Sequence, residues 1–205
     1  MGISARHLKA SLDAIGKVEP AFRKAIRRIG YPEPRIRDRG YETLLRAIVG
    51  QQVSIKAAAA ILAKVEAATG GIHDPANIAR TSDEDLRAAG LSRQKIAYVK
   101  SLAEEVLSGR LDFHALPKDD DEAVAAVTHI KGIGRWTAEV YLLFAEGRRD
   151  IFPAGDLAVQ IEIGRILGLP ERPTEKQLRQ LAEPWRPHRG AAAIFAWHHR
   201  RVVPV

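Results

Sequence analysis

Apolar residues along this chain recur at the spacing of helix turns, and no stretch alternates in the period-2 manner of a half-buried strand. Tyr41, Leu44, Leu45 and Ile48 fall on one helical face. So do Ile96, Val99, Leu102, Ala103 and Val106, and again Thr137, Val140, Tyr141 and Phe144. Capping residues and glycines set the limits of these stripes. Ser4 starts a first helix that Gly16 stops, and Pro20 occupies the first turn of a second, closed by Gly30. Tyr31 to Arg39, with two prolines, reads as a linker. Ser54 opens a long alanine-rich helix that ends before Gly70-Gly71, and Asp74-Pro75 starts a short one. Ser82 and Asp85 make a capping box for a helix ended by Gly90. Ser92 caps the next, which Gly109 stops. Asp119 to Thr128 follows, and a helix begins after Gly134. The last three run roughly over 156–167, 174–182 and 188–199, with Thr174 and Gln177 as a capping box for the middle one. The pattern predicts an all-α fold of about a dozen short helices.

Composition narrows the chemistry. The chain has 205 residues and no cysteine, which excludes disulfides, thiolate zinc sites and Cys-ligated iron–sulfur clusters. No apolar run reaches a membrane-spanning length and no secretion signal is visible, so a soluble cytoplasmic protein is expected. The net charge of +7 is uneven. Residues 1–39 carry 10 Lys/Arg against 4 acids, residues 40–150 carry 14 against 16, and residues 151–205 carry 8 against 5. Basic ends around a nearly neutral middle suit a polyanion such as nucleic acid, although such a charge also serves solubility.

The richest stretch is Thr128 to Glu139. A helix ends, Gly132 and Gly134 make a tight turn, and a helix begins. Glycine allows positive φ and close backbone approach, and the N–H groups of the following helix favour an anion. That is a phosphate cradle with no base reading. Gly-x-Gly alone also occurs in ordinary helix–helix turns. The apolar Ile130 and Ile133 and the basic Arg135 around it sharpen the signal.

Ile130-Lys-Gly-Ile-Gly-Arg-Trp-Thr-Ala138 resembles the helix–hairpin–helix of the HhH-GPD DNA glycosylase superfamily, nearest to its 3-methyladenine DNA glycosylase II (alkyl-base) branch. Three further segments match in order: Ile48-Val-Gly-Gln-Gln-Val-Ser54, Ala89-Gly-Leu-Ser-Arg-Gln-Lys95 and Phe152-Pro-Ala-Gly-Asp156. A tail, Trp185-Arg-Pro-His-Arg189 followed by Trp197, also fits. The resemblance implies a two-lobed helical fold without an N-terminal β-domain. Residues 1–39 and 151–205 would form one basic lobe, and 40–150 a helical-barrel lobe holding the hairpin at about 120–146.

Functional roles follow from the same resemblance. Asp156 takes the place of the catalytic aspartate, whose carboxylate would stabilise the oxocarbenium-like sugar and orient the attacking water. Its plain alternative is an N-cap, and the two roles can coexist. Trp136, Trp197 and Gln51 would form the pocket for a flipped base, the two indoles stacking on an electron-deficient ring. Trp185 matches a packing position. Gln52 would fill the hole left in the duplex. Lys131, Gly132, Ile133, Gly134, Arg135 and Thr137 would hold DNA phosphates, and Lys131 departs from the commoner proline. The carbonyls of Thr128, Ile130 and Ile133 would bind a structural monovalent ion, with no other cofactor required. Bifunctional relatives carry a Schiff-base lysine where this chain has Trp136, so a monofunctional enzyme leaving an abasic site is implied. The implied partner is double-stranded DNA bearing an alkylated base, bound by a monomer without a membrane. A non-catalytic helix–hairpin–helix DNA-binding module, or a glycosylase for another lesion class, stays open at this point. His198-His199 reads as a surface pair, and the run Asp119–Glu122 as a helix start rather than a metal site.

Overall fold

A computed structural model describes residues 2–203. Among them are twelve α-helices, one 3₁₀ turn and no strand. The all-α expectation holds because local capping agrees with the apolar stripes. The chain divides into two compact units: Asp38–Tyr141, and a second made of Met1–Arg37 with Leu142–Val205.

The Asp38–Tyr141 unit contains α3 (Tyr41–Val49), α4 (Ile55–Thr69), α5 (Pro75–Arg80), α6 (Asp83–Ala88), α7 (Arg93–Leu107), α8 (Asp120–Thr128) and most of α9 (Arg135–Phe144). Helix α7 is its axis and packs on α3, α5 and α6. Its stripe buries Ile96, Val99, Leu102 and Ala103, while Val106 is only half-buried. Leu44, Leu45 and Ile48 of α3, Ile78 of α5 and Leu86 of α6 are fully buried in the same unit. Each such side chain contributes about 1.5–3 kcal/mol. Ser54, Asp74, Ser82, Ser92 and Asp119 all cap as expected, each accepting a first-turn N–H. The Ser82–Asp85 box is only half formed. Ser82 accepts the Asp85 N–H, but the Asp85 carboxylate takes the Ser82 hydroxyl at 2.7 Å instead of a backbone N–H.

The other unit contains α1 (Ala5–Val18), α2 (Pro20–Ile29), α10 (Leu157–Leu167), α11 (Glu175–Leu181), a 3₁₀ turn (Glu183–Trp185) and α12 (Arg189–Val202). Phe22 of α2 sits in its core, with Trp185 edge-on at 5.0 Å and Phe195 at 5.7 Å. The Thr174–Gln177 capping box is complete.

Two expectations fail in this unit. Helix α1 runs through Gly16 to Val18 and is ended by Pro20, which forces Glu19 into an extended conformation. Gly16 instead permits close packing, because a Cβ there would stand 3.3 Å from the Cβ of Arg23. His198-His199 is not a surface pair. His199 is buried with Nδ1 2.7 Å from Oε2 of Glu162, and the half-buried His198 places Nε2 3.3 Å from the Ile29 carbonyl. Helix α12 continues to Val202, so both rings lie on a packed helix rather than at a loose end. Glu162, fully buried on α10, also accepts from Arg165 at 3.0 Å; a buried carboxylate needs such partners.

Candidate functional site

In the Asp38–Tyr141 unit, the loop after α3, the first turns of α7 and the hairpin after α8 converge. Gly132 has φ 82°, the left-handed region that favours glycine. A Cβ there would fall 2.1 Å from the Tyr98 ring, so Tyr98 packs directly on the turn backbone. The Ile130 carbonyl closes the turn by accepting the Ile133 N–H at 3.1 Å, and the Ile133 side chain points into the core. Gly134 is different. Its φ is not positive, and a Cβ there would meet nothing within 4 Å. The chain's own packing does not demand this glycine, whereas an approaching backbone or phosphate would.

The loop Gly50–Ser54 is tied to the hairpin by one hydrogen bond. Nε2 of Gln51 donates to the Gly132 carbonyl at 2.9 Å, across 81 residues of sequence. On the other side, Nζ of Lys95 donates to the Val49 carbonyl at 2.8 Å, satisfying the C-terminal end of α3. Burial pushes the Lys95 amine below its ordinary range. Between these ties, Gln52 is exposed with φ 56°, a strained conformation for a residue with a side chain. The loop therefore presents the Gln52 side chain outward.

Arg135, at the first position of α9, is engaged within the chain. Its guanidinium reaches Asp121 at 3.0 Å and Glu139 at 2.9 Å. Burial alone would lower its pKa, but the two carboxylates outweigh burial and raise it. Lys131 is exposed, and its backbone N–H donates to the Ser101 hydroxyl at 3.3 Å. Thr137 is half-buried, and the Trp136 ring is 49% exposed, unusual for an indole without a ligand to cover.

In the other unit, Phe152, Pro153 and Ala154 are buried and Gly155 is exposed. Asp156 follows as the half-buried N-cap of α10, with Oδ1 accepting the Val159 N–H at 2.9 Å. The turn before it is fixed by the Asp156 N–H on the Pro153 carbonyl at 3.0 Å and by Nε2 of Gln160 on the Ala154 carbonyl at 2.8 Å. Asp156 is thus an N-cap held by a rigid buried turn, a geometry compatible with a second role. Trp197 is half-buried against Phe144, 5.6 Å between ring centroids. Trp185 is buried between Phe22 and Phe152. The tail motif Trp185–Arg189 has a structural task. Arg189 grips Asp150 at 2.8–3.0 Å and Glu183 at 3.1 Å, and Arg186 reaches the same two acids.

Tyr98 and Lys95 are the supporting residues that sequence reasoning passed over. Lys95 lies inside a matched segment and Tyr98 stands one turn further along the same helix, but nothing in the sequence names either contact.

Comparison with known proteins identifies the family. Residues 45–187 match the model of the HhH-GPD superfamily base excision DNA repair proteins. The chain is 37% identical over 161 residues to DNA-3-methyladenine glycosylase 1 of Schizosaccharomyces pombe, covering 77% of this chain and 71% of that one. The crystal structure of a DNA-3-methyladenine glycosidase from Bacillus halodurans superposes with a TM-score of 0.84 at 34% identity, covering 92% of this chain and 88% of that one. The S. pombe 3-methyladenine DNA glycosylase in complex with abasic DNA gives 0.79 at 30% identity, over 95% and 98% of the two chains. A hairpin with one glycine packed on Tyr98 and another left open, a buried turn ending in Asp156, and these matches together place the chain in the HhH-GPD superfamily of base excision DNA repair proteins.

Proposed function

We propose that the chain is a monofunctional DNA glycosylase that excises alkylated bases, of the 3-methyladenine and 7-methylguanine type, from duplex DNA and leaves an abasic site. The observation that carries this reading is Asp156, an ionisable carboxylate fixed at a helix start by a buried turn. Breaking the N-glycosidic bond builds positive charge on the sugar, and a preorganised carboxylate stabilises it without reorganisation. Water then adds to the sugar carbon with its proton passing to a base, a task within reach of the same carboxylate. An alkylated base already carries positive charge and leaves as a neutral group, so little acid catalysis is needed at the base itself.

The roles of the remaining residues follow. Trp136 and Trp197 each offer an electron-rich face for a flipped cationic base, and Gln51 is assigned to the same base. Gln52 occupies the place of the flipped nucleotide. Gly132, Ile133, Gly134 and Thr137 offer backbone N–H groups and a hydroxyl to phosphate, with Lys131 and Arg135 adding charge. The carbonyls of Thr128, Ile130 and Ile133 would hold a monovalent ion. The Ile130 oxygen keeps one lone pair beyond its bond to Ile133, and an all-oxygen set suits a hard cation. Trp136 carries no amine, so no Schiff base forms at that position and the strand is not nicked. The reading needs no organic cofactor and places a monomer on DNA in the cytoplasm. No helix among the described residues is long and apolar enough to cross a membrane.

Incubation with duplex DNA containing N3-methyladenine or N7-methylguanine should release free base. Asp156→Asn keeps the N-cap, because Asn caps as well as Asp. Release should nevertheless fall at least about 100-fold. Undiminished release by the variant would favour a binding module and sink the catalytic assignment.

A further inference from the structure

Several of the arginines among the described residues are held by acids. Arg46, Arg110, Arg135, Arg165, Arg179, Arg186 and Arg189 all bridge to carboxylates. Helix α2 is the contrast. Its sequence, PAFRKAIRRI, contains no acid. Arg23, Lys24, Arg27 and Arg28 are all exposed, and none has an ion-pair partner among the described residues. They stand as two like-charged i,i+4 pairs, Arg23 with Arg27 and Lys24 with Arg28, and such pairs destabilise a helix. The cationic side is one continuous face, since these four positions span about 140° of the helix.

The opposite face of α2 is committed. Phe22 and Ile26 are buried in the core of the unit. A basic amphipathic helix often lies on a membrane, but that requires a free apolar face, and α2 has none to offer. The cationic face also continues onto α12. His198 touches the Ile29 carbonyl at the end of α2, which brings the last turn of α12 alongside, and that turn carries the exposed Arg201.

We propose that the outer face of α2, extended by Arg201, is a second polyanion-binding surface that contacts the phosphate backbone of duplex DNA outside the lesion. The assignment of DNA as the polyanion rests on the function proposed above. The surface fits a phosphate row: arginine binds phosphate bidentately, the cations repeat along one helix face, and no internal carboxylate competes. Lacking any buried polar framework, it would hold phosphates without reading sequence. It would raise the residence of the enzyme on undamaged DNA.

The test measures binding of an undamaged duplex by fluorescence anisotropy from 50 to 200 mM salt. R23Q/R27Q/R28Q is compared with K9Q/K100Q/R110Q, which removes three charges already paired to Asp13, Asp83, Glu104 and Glu105. Each phosphate contact contributes about 0.9 to the slope of log affinity against log salt. The α2 variant should flatten that slope by about 2 and weaken binding roughly 10-fold or more at the middle of the range, while the paired-charge variant moves it by less than about 0.5. Base release at saturating enzyme should stay within about twofold of wild type, because these residues stand outside the machinery assigned to excision. The melting temperature of the α2 variant should hold or rise slightly as like-charge crowding is relieved. Equal slopes for the two variants would overturn the proposal, and so would a lower melting temperature with an unchanged slope. Failure of the wild type to release any alkylated base would instead count against the glycosylase reading, and the salt slopes would still judge the surface.

Discussion

The two units divide electrostatic work unevenly. The unit Asp38–Tyr141 carries 13 Lys/Arg against 15 Asp/Glu, a balance of −2, and it holds the hairpin. The other carries 19 against 10, a balance of +9, and it holds Asp156 and α2. The proposed phosphate cradle therefore lies in the unit without a positive excess. Its chemistry is short-range: backbone N–H groups at a helix start, a glycine with open space, and an arginine already bridged to Asp121 and Glu139. The cations are concentrated in the other unit, and those of α2 are unpaired among the described residues, so any long-range attraction to a polyanion would arise there. A backbone cradle gives register, and a net charge gives encounter rate and salt dependence.

Experiments can break this division at several points. The largest effect is expected at Asp156, where the Asn variant loses base release by two or more orders of magnitude while melting close to wild type. Near-wild-type release would remove catalysis from the basic unit. Next is Gly132→Ala in the hairpin. It adds left-handed strain and drives a Cβ into the Tyr98 ring, so denaturation should show a loss of about 2–3 kcal/mol. Gly134→Ala, with open space around it, should leave stability within about 1 kcal/mol and weaken DNA binding instead. Equal stability losses at both glycines would show that the hairpin is only a packing turn.

The tryptophans give a smaller effect that separates the units again. Trp136→Ala should slow release of an alkylated base about 3- to 30-fold, corresponding to a cation–π contribution of about 0.5–2 kcal/mol. Its stability should shift by no more than about 1 kcal/mol, because the ring is half-exposed. Trp197→Ala should slow release comparably and also lose about 2–3 kcal/mol of stability, since the ring packs on Phe144. The smallest effect is expected at Gln52. Gly there relieves the φ of 56° and should stabilise by about 0.5–1 kcal/mol, while base release from duplex, but not from single strands, declines. A stabilised variant with full duplex activity would strip Gln52 of its role in filling the duplex.

The helix starts were legible in the sequence because capping is local. Ser54, Asp74, Ser92, Asp119 and Thr174 each bond an N–H two or three residues on, and that information lies within four residues of chain. The helix ends were less legible. Gly16 looked like a stop and is a packing contact with α2, a distinction that depends on Arg23 lying opposite. His199 looked exposed because nothing near it in sequence pairs with it; its partner Glu162 is 37 residues away.

The sequence by itself determined the helical class, the uneven charge, the absence of thiolate chemistry and the contiguous motifs that carry the resemblance to the superfamily. Those depend on composition, on periods of a few residues and on motifs that are contiguous in the chain. Only the tertiary structure decided that Gln51 ties the loop after α3 to the hairpin, that Tyr98 makes Gly132 indispensable while Gly134 is left open, and that the four cations of α2 share one exposed face while Phe22 and Ile26 are buried. Hydrogen bonds and ion pairs act over about 3–4 Å, and which groups meet at that range is set by how helices pack, not by their spacing along the chain.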